Sequence, residues 1–85
     1  MQLRKVFGGI SPWLMHEYMR MMQGIPLGKD SYLIDGAKVS FGYTEPHRIA
    51  SVVTQQLEII IEAEDEGLVE RLMKVIELKA MRAGG

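Results

Sequence analysis

Two segments in the second half of the chain alternate apolar and polar residues with a period of two, and this feature restricts the fold more than any other. In residues 37–43 and again in residues 57–63, every second side chain is apolar. Successive residues of a strand point to opposite faces, so each segment predicts a half-buried strand. Asp35-Gly36 stands directly before the first segment, and both central positions of a type I′ turn need positive φ. The sequence therefore predicts a hairpin between Tyr32–Ile34 and the strand that starts at Ala37.

Two other segments have the period of a helix. Ser11 is a suitable N-cap residue and Pro12 fits the first helical position, so the first helix starts there. Gly24 is predicted at its C′ position, and Pro26 prevents its continuation. The second helix starts around Glu64–Glu66, where acidic groups suit the positive end of the helix dipole, and runs to about Arg82. The apolar stripes expected in the core are Leu14, Met15, Tyr18, Met19 and Met22 in the first helix, and Val69, Leu72, Met73, Ile76 and Ala80 in the second.

The remaining segments complete an α+β arrangement. Gln2–Phe7 and Arg48–Val53 are predicted as further strands, and residues 27–31 as a loop. The predicted order is β-α-β(4)-α in a single domain, 1–85, with one antiparallel sheet and both helices packed on one of its faces. The other face is then left to solvent, and it carries Lys38, Ser40, Glu58, Glu62 and the apolar Ile60.

Composition excludes several classes of function. The formal net charge is −1, which argues against a nucleic-acid binder that depends on neutralising phosphates. The absence of cysteine excludes a disulfide framework, a zinc knuckle and a thiol nucleophile, and it is compatible with a reducing cytoplasm, where we expect the protein. The N-terminal segment has no apolar stretch of the kind found in signal peptides, and no apolar run approaches the roughly 20 residues that span a bilayer.

No residue pattern predicts catalysis or metal binding. His16 and His47 lie on different elements and lack the convergent ligands that a metal site needs, so we expect surface or half-buried histidines. The acidic residues from Glu62 to Glu66 are interpreted as a strand end followed by a helix N-terminus. Phe7-Gly8-Gly9 is interpreted as a tight turn, because the full glycine-rich phosphate motif is absent. We therefore expect no enzyme activity, no cofactor and no metal.

Three apolar residues are candidates for an interface. Trp13 either covers the core, which we favour, or anchors a partner, because Trp is enriched in interface hot spots. Met21 and Ile60 are expected at the surface, and together with the small size of the chain they predict a homodimer. The C-terminal Gly84-Gly85 matches the end of ubiquitin-like sulfur carriers and protein modifiers. We interpret it as the inert end of the last helix, with a carrier tail as the alternative.

Several short motifs, in order and at similar spacing, resemble the C-terminal domain of MoaD-related proteins, which are related to the small subunit of molybdopterin synthase. The motifs are Phe7-Gly8, Pro12-Trp13-Leu14, Tyr18, Gly24, Tyr32, Gly36-Ala37, Val39, Phe41, Glu45-Pro46, Ser51, Gln56-Leu57, Glu62 and Arg82 to Gly85.

The resemblance implies a TBP-like fold and an association with molybdenum or tungsten pterin cofactor assembly, but it names no catalytic residue. In that family a ubiquitin-like domain with the sulfur-carrier function precedes this one, and we expect a stand-alone copy here. Two functional hypotheses follow. The first is a non-catalytic interaction domain that serves this pathway through a protein partner. The second is a sulfur carrier or modifier that uses its Gly-Gly tail, and a small-ligand site on the sheet is a weaker third.

Overall fold

The computed structural model describes residues 1–8, 10–44, 47–54 and 56–82 and confirms the α+β class. Five strands form one open antiparallel sheet in the order β1-β7-β4-β3-β2, and two helices accompany it. Six strands rather than the predicted four lie between the helices, so the TBP-like topology stays a prediction. The elements are β1 (Gln2–Phe7), α1 (Pro12–Met21), β2 (Ile25–Gly28), β3 (Ser31–Ile34), β4 (Ala37–Tyr43), β5 (His47–Ile49), β6 (Val52–Thr54), β7 (Leu57–Glu62) and α2 (Glu66–Arg82).

The predicted hairpin at Asp35-Gly36 is confirmed. Ile34 pairs with Ala37 across a two-residue turn. Both turn residues have positive φ, 51° at Asp35 and 89° at Gly36, as a type I′ turn requires. The turn therefore fixes the register of β3 on β4, which decides which side chains face the core.

The prediction of a loop over residues 27–31 is wrong in its first half, because Ile25–Gly28 forms the edge strand β2. All four of its residues are exposed, so no apolar alternation marks it in the sequence. Pro26 pairs with Tyr32 in the register with β3. The alternation of the ladder turns the Pro26 nitrogen toward the open edge, where it offers no N–H to another strand.

The single strand predicted over Arg48–Val53 is also wrong. The chain turns back after Ile49, and β5 and β6 form a separate two-stranded sheet. Ala50 at the turn has φ of 57°, which is uncommon for a residue with a Cβ atom. Glu45-Pro46, one of the motifs that carry the resemblance, lies outside the described residues.

Helix α1 starts as predicted, but it ends one residue earlier, and its end is built differently. Ser11 has extended N-cap geometry without a side-chain capping bond. At the other end Gln23, not Gly24, takes the left-handed conformation, with φ of 60°. The amides of Gln23 and Gly24 donate to the carbonyl oxygens of Arg20 and Met19, the pattern of a Schellman motif. Gly24 is needed for space instead, because a Cβ atom there would stand 3.1 Å from the Met19 oxygen and 3.2 Å from Ile34.

The buried strand side chains share one face of the sheet, and both helices cover that face. The rings of Tyr32 and Phe41 contact His16 of α1, so α1 lies over β3 and β4. Lys5 of β1 pairs with Glu77 of α2 at 2.6 Å, so α2 lies over the β1 edge. Both predicted helical stripes contribute to the core, whose buried residues are Ile10, Met15, Tyr18, Met19, Tyr32, Ile34, Ala37, Val39, Phe41, Leu57, Ile59, Ile61, Val69, Leu72, Met73, Ile76 and Ala80.

The opposite face of the sheet is open, as predicted. Lys38 and Glu62 are exposed there, and Ser40 and Glu58 are half-buried. Arg4 reaches Glu58 across this face at 3.6 Å. The domain is thus two-layered, with one sheet face in the core and one available to solvent or to a partner.

Candidate functional site

The solvent face of α1 carries two of the three predicted interface residues. Trp13 is 67% exposed and Met21 is 66% exposed. They lie near opposite ends of the helix, and between them Arg20 pairs with Glu17 at 2.6 Å. The preference for Trp13 as a core residue is therefore wrong. Its helical position points away from the side that buries Met15, so the indole is left in solvent.

Ile60, the third candidate, is on the other side of the molecule. It lies on the open face of the sheet, opposite Arg4 in β1 and Ser40 in β4. It is half-buried there, between the neighbouring charged residues Glu58 and Glu62 of its own strand. The structure therefore brings Trp13 and Met21 onto one helix face but separates both from Ile60.

Helix α2 carries a second apolar stripe that the sequence reasoning missed. Val75 is 39% exposed, Leu78 is 56% exposed and Met81 is 69% exposed. They follow one another at a spacing of three on the side of the helix away from the core. The signal was present in the sequence, because these residues stay unassigned once the buried stripe is taken out of the helix.

The two helices are joined by Tyr18, a buried residue of α1. Its hydroxyl donates to the carbonyl oxygen of Lys79 at 2.9 Å, and the Lys79 ammonium lies 5.8 Å from its ring centroid. Helix α1 starts beyond the Phe7 end of the sheet, and α2 starts beyond the opposite end, at Glu62. The two helices therefore run in opposite directions and present their solvent faces side by side.

His16 belongs to a small polar network under α1. Its Nδ1 lies 2.6 Å from the Tyr32 hydroxyl, and its Nε2 lies 3.4 Å from a carboxylate oxygen of Asp30. Its ring also packs edge-on against Phe41 at 4.8 Å between centroids. The half-buried position agrees with the expectation for His16, and the contacts tie α1 to β3 and to the turn before it. The side chain of His47 lies outside the described residues.

The acidic segment before α2 caps that helix. A carboxylate oxygen of Asp65 accepts the Leu68 amide at 3.3 Å, the N-cap role that its place in the sequence suggests. Among the residues described, no three His, Asp or Glu side chains come close enough to hold a metal ion. Gly9 of the predicted tight turn and the C-terminal Gly84 and Gly85 lie outside the described part of the chain.

Comparison with known proteins gives one family. The model of the family described as "Archaeal MoaD-like protein" matches residues 3–85. No curated protein matches the chain. Within the described ranges, neither helix has the length and apolar character to cross a membrane.

Proposed function

We propose, because this chain belongs to the archaeal MoaD-like protein family, that it is a cytoplasmic, non-catalytic interaction domain in the assembly of molybdenum or tungsten pterin cofactors. Membership of the family links the chain to molybdopterin-related sulfur-carrier biology. The observation that carries the proposal is the exposure of large apolar side chains on the solvent faces of both helices. Trp13 is the largest of them, and its indole is two-thirds exposed.

This exposure is informative because the core does not need these residues. The apolar residues that face the sheet already bury both helices, with Met15, Met19 and Ile76 fully enclosed. Scattered apolar residues are normal on protein surfaces, but several large ones on adjoining faces are typical of a binding surface. Trp and Met are also side chains that interfaces favour. A protein partner therefore accounts for them better than the fold does.

Site-specific cross-linking in the source organism tests the proposal. A photoreactive phenylalanine analogue replaces Trp13, and a matched control places it at Lys38 on the open sheet face. We expect cross-links from position 13 to proteins of molybdopterin synthesis or sulfur transfer, and few to these proteins from position 38, where a second copy of the chain would be labelled instead. Equal labelling of these proteins from both positions, or labelling of unrelated proteins only, would contradict the proposal.

Homodimerisation is a separate part of the proposal and concerns the open sheet face. That face carries both signs of charge, with Arg4 and Lys38 near Glu58 and Glu62, so two copies can meet around Ile60 with opposite charges opposed. Sedimentation equilibrium measures the association. The protein concentration should be tens of micromolar, which is well above the Kd of a standard interface. Ile60→Lys should abolish it, Met21→Lys should not, and a purely monomeric chain would exclude it.

The sulfur-carrier alternative is favoured by one observation, which is that the family match runs to residue 85 and includes the Gly84-Gly85 tail. Helix α2 extends to Arg82, and Gly84 and Gly85 lie outside the described residues. We rank this function second because the exposed apolar side chains on the helices favour an interaction domain. Intact-mass measurement of protein from its own organism tests it, because a C-terminal thiocarboxylate replaces one oxygen by sulfur. The heavier species should disappear when Gly85 is deleted.

A small-ligand site stays a weaker prediction. Among the described residues the buried polar groups are the hydroxyls of Tyr18 and Tyr32, and both already have partners within the protein, so neither is available to orient a ligand.

A further inference from the structure

We propose that Met21 of α1 and Val75, Leu78 and Met81 of α2 form one docking surface, and that its occupant is an apolar surface of another protein edged with carboxylates. This inference deepens the proposed function, on which it rests, by assigning the surface and the chemistry of its partner. We call these four residues the helix-pair surface.

The two helices bring the residues of the helix-pair surface to the same part of the molecule. Tyr18 of α1 and Lys79 of α2 lie at the same height along the two helix axes, because the Tyr18 hydroxyl donates to the Lys79 carbonyl oxygen. The helices run in opposite directions with a rise of about 1.5 Å per residue. Met21 lies three residues after Tyr18 in α1, and Val75 lies four residues before Lys79 in α2. Because the helices run in opposite directions, both residues are displaced in the same direction from the contact between Tyr18 and Lys79. Leu78 follows Val75 on the solvent side of α2, and Met81, three residues after Leu78, extends the surface along α2 in the direction away from Met21.

No residue in the described part of the chain covers the side chains of the helix-pair surface. Met21 and Met81 are about two-thirds exposed, at 66% and 69%, and Leu78 is 56% exposed. Methionine adapts its shape to a partner, and leucine supplies apolar area. Trp13 lies at the far end of α1, beyond the Arg20–Glu17 ion pair, and is not part of the surface.

The charged residues beside the helix-pair surface indicate the chemistry of its partner. Arg71 and Lys74 are exposed on the same side of α2, and neither makes an ion pair with another described residue. The nearby Glu77 is half-buried and pairs with Lys5, and Glu17 of α1 pairs with Arg20. The free charges one helical turn from Val75 and Leu78 are thus both positive and complement carboxylates on a partner, whereas the exposed Glu70 lies further from both residues.

The same charges argue against a second copy as the occupant. A two-fold axis through this part of α2 would bring Arg71 and Lys74 of both copies to one interface. Like charges that face each other across an interface oppose association. The helix-pair surface therefore fits a different protein, in contrast to the open sheet face with its mixed charges.

A pair of synthetic helical peptides tests the surface. Both peptides carry leucines on one face, and the residues that flank this face are glutamate in one peptide and lysine in the other. Methyl-group NMR of the full chain should show shifts at Met21, Val75 and Leu78 with the glutamate peptide, while Ile60 stays unchanged. The lysine peptide should bind about three- to tenfold more weakly, and raising the salt concentration should reduce this difference.

Three variants separate the contributions. Leu78→Lys should abolish binding, whereas Leu27→Lys should preserve it, because Leu27 is similarly exposed, at 51%, but lies on β2. Lys74→Glu should remove most of the preference between the peptides, because it leaves one positive and one negative charge beside the surface. Circular dichroism first establishes that each variant folds, which is expected because all three positions are exposed.

Several results would overturn the inference. They are no binding of either peptide at millimolar concentration, equal losses in Leu78→Lys and Leu27→Lys, or an unchanged preference in Lys74→Glu. Shifts of the same methyl groups on raising the protein concentration alone would assign the surface to a second copy. Shifts with phosphatidylglycerol vesicles but not with peptide would assign it to a lipid surface. Cross-links from position 13 to molybdopterin-synthesis proteins, combined with any of these results, would retain the proposed function and reject this surface.

Discussion

Replacing Gly36 by valine isolates the cost of the backbone conformation at the β3–β4 turn. Gly36 has φ of 89°, and a Cβ atom built on it meets no atom within 4 Å. The added Cβ atom therefore makes no steric contact with the rest of the protein. Gly42 supplies the matched control, because it also has open space around a Cβ atom but does not have positive φ.

The two substitutions are expected to have different effects on the free energy of unfolding. A left-handed conformation costs a residue with a Cβ atom roughly 1–2 kcal/mol, and a β-branched side chain is at the upper end. Gly36→Val should therefore lower the free energy of unfolding by about 2 kcal/mol. Gly42→Val replaces a strand glycine by a residue that favours strands, so it should be neutral or raise stability by up to about 1 kcal/mol.

Chemical denaturation followed by far-ultraviolet circular dichroism measures both variants, and thermal melts should show a loss of about 4–8 °C per kcal/mol for a domain of this size. Gly36→Asn should lie between the natural protein and Gly36→Val, because asparagine enters the left-handed region more easily. If valine costs no more at position 36 than at position 42, backbone strain is not what selects glycine in this turn.

Three other substitutions test contacts between elements. Gly24→Ala should lower the free energy of unfolding by about 1–3 kcal/mol through overpacking under α1, and an unchanged denaturation midpoint would mean that this corner relaxes freely. Tyr18→Phe should cost about 0.5–1.5 kcal/mol and speed amide exchange in the last turns of α2, because the Lys79 carbonyl loses its donor; equal exchange rates would contradict the role of this bond. Lys5→Val should change stability by less than about 1 kcal/mol, since its pair with Glu77 is partly exposed, yet promote association through β1, and light scattering that stays at the monomer value would refute this.

The sequence predicted the elements whose side chains have one buried face. The buried stripes of α1 and α2 were predictable because burial on one side leaves a period in the sequence. The start of α1 and the hairpin turn at Asp35-Gly36 were predictable from their capping and turn residues, and β1 from its β-prone residues. Strand β2 left no such period, since all of it is exposed. The turn at Ala50 could not be predicted either, because its positive φ falls on a residue that is not glycine, asparagine or aspartate.

The candidate site was predictable only in part. Met21 could be placed at the surface because it falls outside the buried stripe of α1. Trp13 was assigned to the core by its hydrophobicity, although its helical position already pointed to solvent. Leu78 could have been found by the same geometric criterion, and the contact between Tyr18 and Lys79 that sets the two helices side by side could not, because it depends on tertiary packing.

The pairing of β1 with β7 has a consequence for the order in which the chain folds. Met1 and Ala63, which exchange backbone hydrogen bonds, are 62 residues apart, whereas β2, β3 and β4 are joined by short turns. Closing a long loop costs more entropy than closing a short one, so contacts distant in sequence tend to form late. The strand that leaves the ribosome first has no neighbour in the sheet until β7 has been made and has paired with β4. Pulsed hydrogen exchange during refolding should accordingly find the amides of Leu3 and Lys5 protected after those of Tyr32 and Ile34, and earlier protection of β1 would require another route.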